Sequence, residues 1–457
     1  MADWSVEMVR DTGGADALAD VLSQLAAEGS PLVHAFVGTR GLTLVVPSRH
    51  GHHPEEVAVG AGPFSRPTRA GHELFGGLEH NLPPSIWRHA SRRRPVRGRG
   101  LHLMPLGPVR GDVSESLAYQ LVVLGDEIHH VRLRAGYKRR HVVQAMAGAE
   151  IDAALLVAER VTGTSPVAHA LAFSEAAEEA QGRAVSGDDR RARVVLAELE
   201  RITSHVGDLA LLAASTGTVA AAADWLRIKE RLLRYQAELT GHRYLRGVVA
   251  PGGLHHPLSG SLGDLGALLK AIAGQVRDIA GALERTNSYL DRLHNAGRLP
   301  VHADGAVYWT GFVGKSAGLR RDWRWDRPYA GYQGITAQML PVSLDRPDAY
   351  GRARVRLEEI QQSVALVERM LASEAPAARK MRSAGRAGVG YGLVEAPRGR
   401  LCYRLELEGG RVHAASVTTA SQLNWPAVPL ALEQHNILQD FPIIDASFSL
   451  AVAALDL

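Results

Sequence analysis

Apolar residues recur at helical spacing through the middle of the chain and at strand-like spacing near both ends. The clearest helix lies over Arg190 to Ala214, where Val195, Leu199, Ile202, Val206 and Leu209 follow one another by alternating steps of four and three. Val142 to Thr162, Ala223 to Thr240 and Tyr350 to Leu371 read as further helices, and Gly241 is placed to end the second of these. Leu262 to Leu293 reads as one long helix or two, and Ala15 to Ala27 as a short one. Strand-like runs at Leu32–Val37 and Leu42–Val46 flank the turn Thr39-Arg40-Gly41, and Leu117–Leu124 and Ile128–Leu133 flank Gly125-Asp126-Glu127. Residues 47–100 are rich in Gly, Pro, His and Arg and are expected to be loops, while the tail from about 388 returns to strands and turns. The pattern predicts an α+β fold, mainly a helical bundle core with small β pieces near the N- and C-termini.

The 457 residues are 46% hydrophobic and 22% charged, ordinary for a globular chain with one large core or two to three domains. Much of the net charge of +4 is local, with Arg92, Arg93, Arg94, Arg97 and Arg99 in one stretch. That stretch reads as a solvated loop or as a contact for an acidic partner or anionic lipid. Without interleaved aromatics it gives no reason to expect nucleic acid. The single cysteine, Cys402, excludes an internal disulfide, a multi-thiolate zinc site and an iron–sulfur cluster held by this chain. No signal-peptide core opens the sequence and no run approaches eighteen apolar residues, so a cytoplasmic location is expected, with membrane attachment only through partners.

Several local patterns suggest chemistry. Gly314-Lys315-Ser316 resembles the end of a phosphate loop, but Trp309 stands where that motif needs glycine. Gly388-Val389-Gly390-Tyr391-Gly392 lacks dinucleotide-fingerprint spacing and reads as a flexible turn. His50, His52 and His53 with Glu55 and Glu56 form either a divalent-metal cluster or a plain solvated loop. His129 and His130 are adjacent on a strand and so point to opposite faces. Arg201, His205 and Asp208 share one helix face with Glu198 and Glu200 nearby; the face is either solvated or buried as a proton-carrying network. Arg227, Glu230 and Arg231 read as an exposed charge ladder.

An ordered set of segments over residues 101–457 resembles the large subunit of group 4, membrane-bound [NiFe] hydrogenases and the D subunit of NADH-quinone oxidoreductase (complex I). Leu106-Gly107-Pro108 with Ser114-Glu115-Ser116 resembles the family's first β unit. Gly136-Tyr137-Lys138-Arg139-Arg140 resembles G-Y-x-H-R, and Glu159-Arg160-Val161-Thr162-Gly163-Thr164-Ser165 resembles E-R-V-C-G-I-C, with His169 where a histidine follows the second cysteine. The run from Glu198 to Leu209 is close to E-L-E-R-I-x-S-H-x-G-D-L. Leu239 to Arg243, Pro251-Gly252-Gly253, Asp322 with Arg324, Pro328 and Tyr329, Asp348 to Arg352 and Glu395-Ala396-Pro397-Arg398-Gly399 continue the series. Asp445-Ala446-Ser447-Phe448-Ser449-Leu450 stands where the hydrogenases end in D-P-C-x-x-C. Residues 1–100 form a separate small α+β region, and Glu73-Leu74-Phe75-Gly76 faintly resembles the complex I C subunit.

The departures carry as much information. Thr162, Ser165, Ser447 and Leu450 occupy the four metal-cysteine positions, and hydroxyls and an alkyl group cannot replace the soft thiolates that hold nickel and iron. No metal is therefore expected, and the chain ends near the last motif, without an expected maturation extension. The resemblance implies instead a non-nickel subunit of a membrane-associated, respiratory-type redox complex. Its partners would be an iron–sulfur small subunit and antiporter-like and other integral membrane subunits, with no cofactor bound directly and a quinone or other acceptor held in a cavity. By this carry-over Arg160 and His169 would line the former metal cavity as catalytic groups, and Arg110, Ser114, Glu115, Arg140 and His141 would bind the acceptor. Complex I uses a loop histidine and a partnering aspartate for its quinone; the matching positions here are Ser114 and the vicinity of Ser215. The alternatives are a catalytically inactive pseudo-subunit that couples the small subunit to ion-translocating partners, and an independent binding protein using the histidine-rich loop.

Overall fold

The computed structural model describes residues 98–111, 115–138, 140–259, 262–300, 309–333, 339–372, 388–455 and 457, together with the backbone of three strands at 34–38, 41–47 and 54–59. Those three, β1 (His34–Gly38), β2 (Gly41–Pro47) and β3 (Pro54–Val59), form an antiparallel sheet in the order β1-β2-β3. The first hairpin matches the turn expected at residues 39–41, with Gly38 opposite Gly41. β3 corrects the expected loop, for Glu55 and Glu56 pair with Val46 and Val45. His50, His52, His53, the Ala15–Ala27 helix and Arg92 to Arg97 lie outside the described residues.

A second antiparallel sheet contains β4 (Leu101–Leu106), β5 (Ala118–Leu124) and β6 (Glu127–Arg134). Its β5–β6 hairpin turns at Gly125, whose φ of 63° suits glycine. The helix expected over residues 142–162 is two helices, Val142–Met146 and Ile151–Ala158. The chain breaks at Gly148, φ 78°, where the backbone N–H donates to the Val412 carbonyl at 2.7 Å.

Among the described residues five long helices make the core: α1 (Pro166–Gln181), α2 (Gly187–Ser215), α3 (Val219–Thr240), α4 (Leu262–Leu283) and α5 (Ala349–Ala372). α2 starts at Ser186, whose hydroxyl accepts the Asp189 N–H at 3.0 Å, and two acidic residues in its first turn suit the helix dipole. α3 ends at Gly241 in the left-handed conformation, as expected. The Leu262–Leu293 run is two helices, the second Asn287–Leu293. None of the described helices is long and apolar enough to cross a membrane.

α1 is the helix that periodicity does not reveal. Every residue from Pro166 to Ala180 is buried, so no polar stripe marks a solvent face. Its glutamates find partners inside: Glu178 pairs with Arg193, Glu175 accepts the Ala330 N–H at 2.8 Å and Glu179 the Tyr391 N–H at 2.7 Å. α1 lies across β7 (Gly388–Ala396), which pairs with β8 (Gly399–Glu408) and then β9 (Arg411–Thr418). The glycine run read as a flexible turn is therefore a strand. A Cβ at Gly390 or Gly392 would fall on the carbonyls of Ala176 or Ala172, so these glycines let the helix backbone approach the sheet. Gly392→Ala is expected to cost about 1–3 kcal/mol by overpacking, measurable by denaturant unfolding. Cys402 sits in β8, fully buried, and burial pushes its thiol well up from the ordinary value. Beyond β9 the tail is short helices, Ala420–Asn424, Ala427–Leu432 and Phe441–Phe448, where strands and turns were expected.

Candidate functional site

α2 carries two polar faces. The one predicted from spacing is buried. Glu198, Arg201 and His205 lie inside the bundle against α5 and the Gly311–Ser316 and Trp323–Asp326 helices. Arg324 donates to Asp322 at 2.7 Å and to both oxygens of Glu198 at 3.2 Å. Lys315, the residue of the discounted phosphate-loop motif, bridges Asp322 and Glu359 at 2.5 Å each. Arg201 lies 3.3 Å from Glu198 and 3.7 Å from Glu359. Three cations thus face three carboxylates in a region closed to water. Burial alone would neutralise Asp322 and Glu359, but Arg324 and Lys315, respectively first among their partners, hold both carboxyls below the usual range. Burial keeps His205 neutral; its Nε2 donates to ionised Glu359 at 2.7 Å, which leaves Nδ1 without a hydrogen bond. A fourth carboxyl is in excess: burial and then Asp322 push Glu395 up to about 7, and its Oε1 has no hydrogen-bond partner.

This network reaches a cleft. Asp208, one turn beyond His205, accepts from Arg398 at 2.9 Å and from Arg356 at 3.3 Å. Arg398 also donates to the hydroxyls of Thr164 at 2.9 Å and Ser204 at 3.1 Å and to the Ser449 carbonyl at 2.5 Å. Both Asp208 and Arg398 line a cleft of about 470 Å³ between α2, α3, the turn before α1 and the C-terminal segment 449–453. The α2 wall of this cleft is Glu200, Thr203, Ser204, Gly207, Asp208 and Leu211, a run of three- and four-residue steps along one face.

Glu200 is the distinctive group of that wall. It is 5% exposed, and its oxygens accept the Val167 and Ala168 N–H groups at 2.6 and 3.0 Å at the start of α1. Burial pushes its carboxyl up to about 8; the two N–H groups and Arg201 oppose this without overcoming it, and neighbouring Glu159 adds to the rise. Glu200 therefore holds a proton at neutral pH beside a cavity large enough for a small organic molecule.

The space beside Thr162 and Ser165, two of the positions matched to hydrogenase cysteines, offers far less room. Thr162, Ser165 and His169 line a cavity of about 20 Å³, close to one water molecule. The Thr162 and Ser165 hydroxyls bond to each other. Ser447 accepts the Arg352 Nε–H at 3.0 Å and donates to the Ile444 carbonyl at 2.7 Å, while Leu450 lines the larger cleft. This donor set does not fit nickel and iron: no thiolate is offered and the hydroxyls already have partners.

The structure separates the seven residues singled out from sequence. His169 lines the small cavity, with Nδ1 2.8 Å from the Tyr403 hydroxyl; burial and then Arg140 lower it to about 3, so it is neutral. Arg160 corrects the expected lining: it is exposed and its Nη1 donates back to the Leu156 carbonyl at 2.5 Å, because the turn after Ala158 aims it outward. Glu115 lines the cleft, and burial raises its carboxyl above the ordinary value. Arg140 ties the Arg160 and Val161 carbonyls to that of Ala453 at 2.5–3.0 Å, making it a strut between the turn and the C-terminal segment. Arg110 is not among the cleft-lining residues; it lies 3.4 Å from Asp445 over the rings of Tyr119 and Phe441. His141, exposed with φ 51°, starts the Val142–Met146 helix and also stands apart. Ser114 lies outside the described residues. The structure adds Glu200, Asp208, Lys229 and Arg398, of which Glu200 and Asp208 lie on the helix that spacing picks out and Arg398 in a segment that carries the resemblance.

Residues 215–386 match the family described as respiratory-chain NADH dehydrogenase, 49 Kd subunit. The D subunit of NADH-quinone oxidoreductase from Mycolicibacterium smegmatis is 27% identical over 274 residues, 59% of this chain and 62% of that protein. The chain thus spans less than two thirds of that relative. The carbon monoxide-induced hydrogenase of Rhodospirillum rubrum is 26% identical over 350 residues, 75% of this chain and 96% of that one. In fold, the chain is similar to a chain of a membrane-bound sulfane sulfur reductase, an archaeal respiratory membrane complex, with a TM-score of 0.71 and 18% identity over 79% of this chain and 100% of that one. In sequence this chain is similar to the D subunit of NADH-quinone oxidoreductase and to a carbon monoxide-induced hydrogenase, and in fold to a chain of a membrane-bound respiratory complex.

Proposed function

We propose that this chain is a nickel-free subunit of a membrane-associated redox complex, packed on an iron–sulfur small subunit and lining an acceptor cavity. The observation that carries the reading is the contrast between two neighbouring spaces: about 20 Å³ beside Thr162, Ser165 and His169, and a cleft of about 470 Å³ on whose wall burial raises the Glu200 carboxyl to about 8. The partner's cluster supplies electrons and this chain supplies shape and protons. Reduction of a quinone acceptor takes up two electrons and two protons, and Glu200 is placed to give one of those protons to an acceptor oxygen in the cleft. Water at the open side of the cleft, beside exposed Leu211 and Tyr244, supplies the second proton and restores the one that Glu200 gives. Integral membrane subunits of the antiporter type hold the assembly at the inner face of the membrane.

Glu200→Gln keeps the shape and removes the exchangeable proton. In the purified complex it is expected to lower the acceptor-reduction kcat by about 10²-fold or more, with KM nearly unchanged. An assembled complex whose turnover ignores this substitution points to the second reading, a structural pseudo-subunit, which the scattering of Arg110, Arg160 and His141 away from the cleft favours.

A further inference from the structure

We infer that the cleft is an anion-selective site in which the Lys229 ammonium, admitted by the missing side chain of Gly207, receives the negative group of an organic ligand with an apolar body. The inference rests on reading the cleft as a ligand cavity and names the class of ligand.

Three carboxyl residues line the cleft, and each has its own neighbours. Asp208 is bonded to Arg398 and Arg356. Glu200 is bonded to the first N–H groups of α1. Glu115 lies in the field of Arg140 and Lys138. Lys229 differs: it is a half-buried lining residue of α3 with no hydrogen bond or ion pair to the described residues. A lone, partly desolvated ammonium in a concave site attracts an anion more strongly than the same group on an open surface.

Gly207 explains how the ammonium gets there. It lies in the middle of α2, where the backbone does not require glycine and the residue lowers helix propensity. A Cβ at this position would meet Lys229 Nζ at 2.8 Å, Cε at 3.3 Å and Cδ at 3.5 Å. The lysine tail therefore lies across α2 in the groove that the glycine leaves. Around it, Leu211 and Tyr244, 53% and 47% exposed, together with Leu450 and Val452 offer apolar surface. A cation set in an apolar wall suits a flat or alkylated organic anion better than a small inorganic ion, which would keep its water.

The test uses the full chain in its purified complex and two probes of nearly the same shape, 2-hydroxy-1,4-naphthoquinone, anionic at neutral pH, and neutral 1,4-naphthoquinone, with binding measured by calorimetry. The native protein is expected to bind the anionic probe about 10-fold more tightly than the neutral one, with the preference weakening as salt is added. Lys229→Met is expected to abolish the preference by weakening the anionic probe alone. Gly207→Ala retains the charge and favours the helix, yet displaces the tail, and is expected to reduce the preference. Equal binding of the two probes by the native protein, no binding of either, or a preference that survives Lys229→Met overturns the inference. Because binding is read without turnover, a preference lost in Lys229→Met beside a fully active Glu200→Gln enzyme would separate an anion site that stands from a proton-donor reading that fails.

Discussion

Arg324→Met is expected to cost about 3–5 kcal/mol of stability and to leave little soluble protein. The guanidinium is fully buried and bonded to Asp322, Glu198 and Gln362. Methionine fills similar volume but strands two carboxylates that burial already disfavours. Glu198 would retain Arg201, Tyr332 and Ser363, and Asp322 would retain Lys315, so the loss is a charge imbalance rather than complete isolation. The exposed pair Arg243–Glu230 provides the contrast: Arg243→Ala is expected to leave the unfolding midpoint unchanged, because solvent screens that pair. Denaturant titration of both variants checks the difference. A soluble Arg324→Met protein with native stability would show that the six-charge cluster is not a closed unit.

Glu200 sets the second large effect, and its sign is opposite to that of an ordinary salt-bridged carboxylate. Its folded value of about 8 lies above the 4.5 of an unperturbed glutamate. Below pH 4.5 both folded and unfolded chains hold the proton, and the protonated group's contribution is fully present. Between 4.5 and 8 only the folded chain holds it, so stability falls as pH rises, and above 8 the loss is complete. The gap corresponds to about 4–5 kcal/mol. Glu200→Gln carries no ionisable group and is expected to remove this slope, so that the variant gains on the native protein from pH 5 to pH 8 and keeps a constant lead beyond. Unfolding free energies across that range give the curve; parallel profiles for the two proteins would mean that Glu200 is ionised in the folded state.

The bundle was legible where helices expose one side. Val195, Leu199, Ile202, Val206 and Leu209 are buried as their spacing implies, and Gly241 ends α3. Legibility failed where burial is complete. α1 has Glu175, Glu178 and Glu179 inside the core, each satisfied by a partner far along the chain, so its sequence looks like no amphipathic helix. β7 needs glycine because a helix backbone passes close by, a tertiary requirement that resembles a turn when read locally. The same limit governed the site. Helical spacing put Arg201, His205 and Asp208 on one face, but not whether the face was wet or dry, and Lys315, Glu359 and Glu395 arrive from distant segments. Positional carry-over placed Arg160 in the former metal cavity, whereas the turn after Ala158 directs its side chain to the surface.

The most direct test of the central claim is native affinity purification of the chain from membranes, with identification of co-purifying proteins and assay of iron and acid-labile sulfide. An iron–sulfur small subunit and antiporter-like membrane proteins are expected in constant proportion to this chain, with iron and sulfide but no nickel. A cluster-free protein recovered without those partners would contradict that claim.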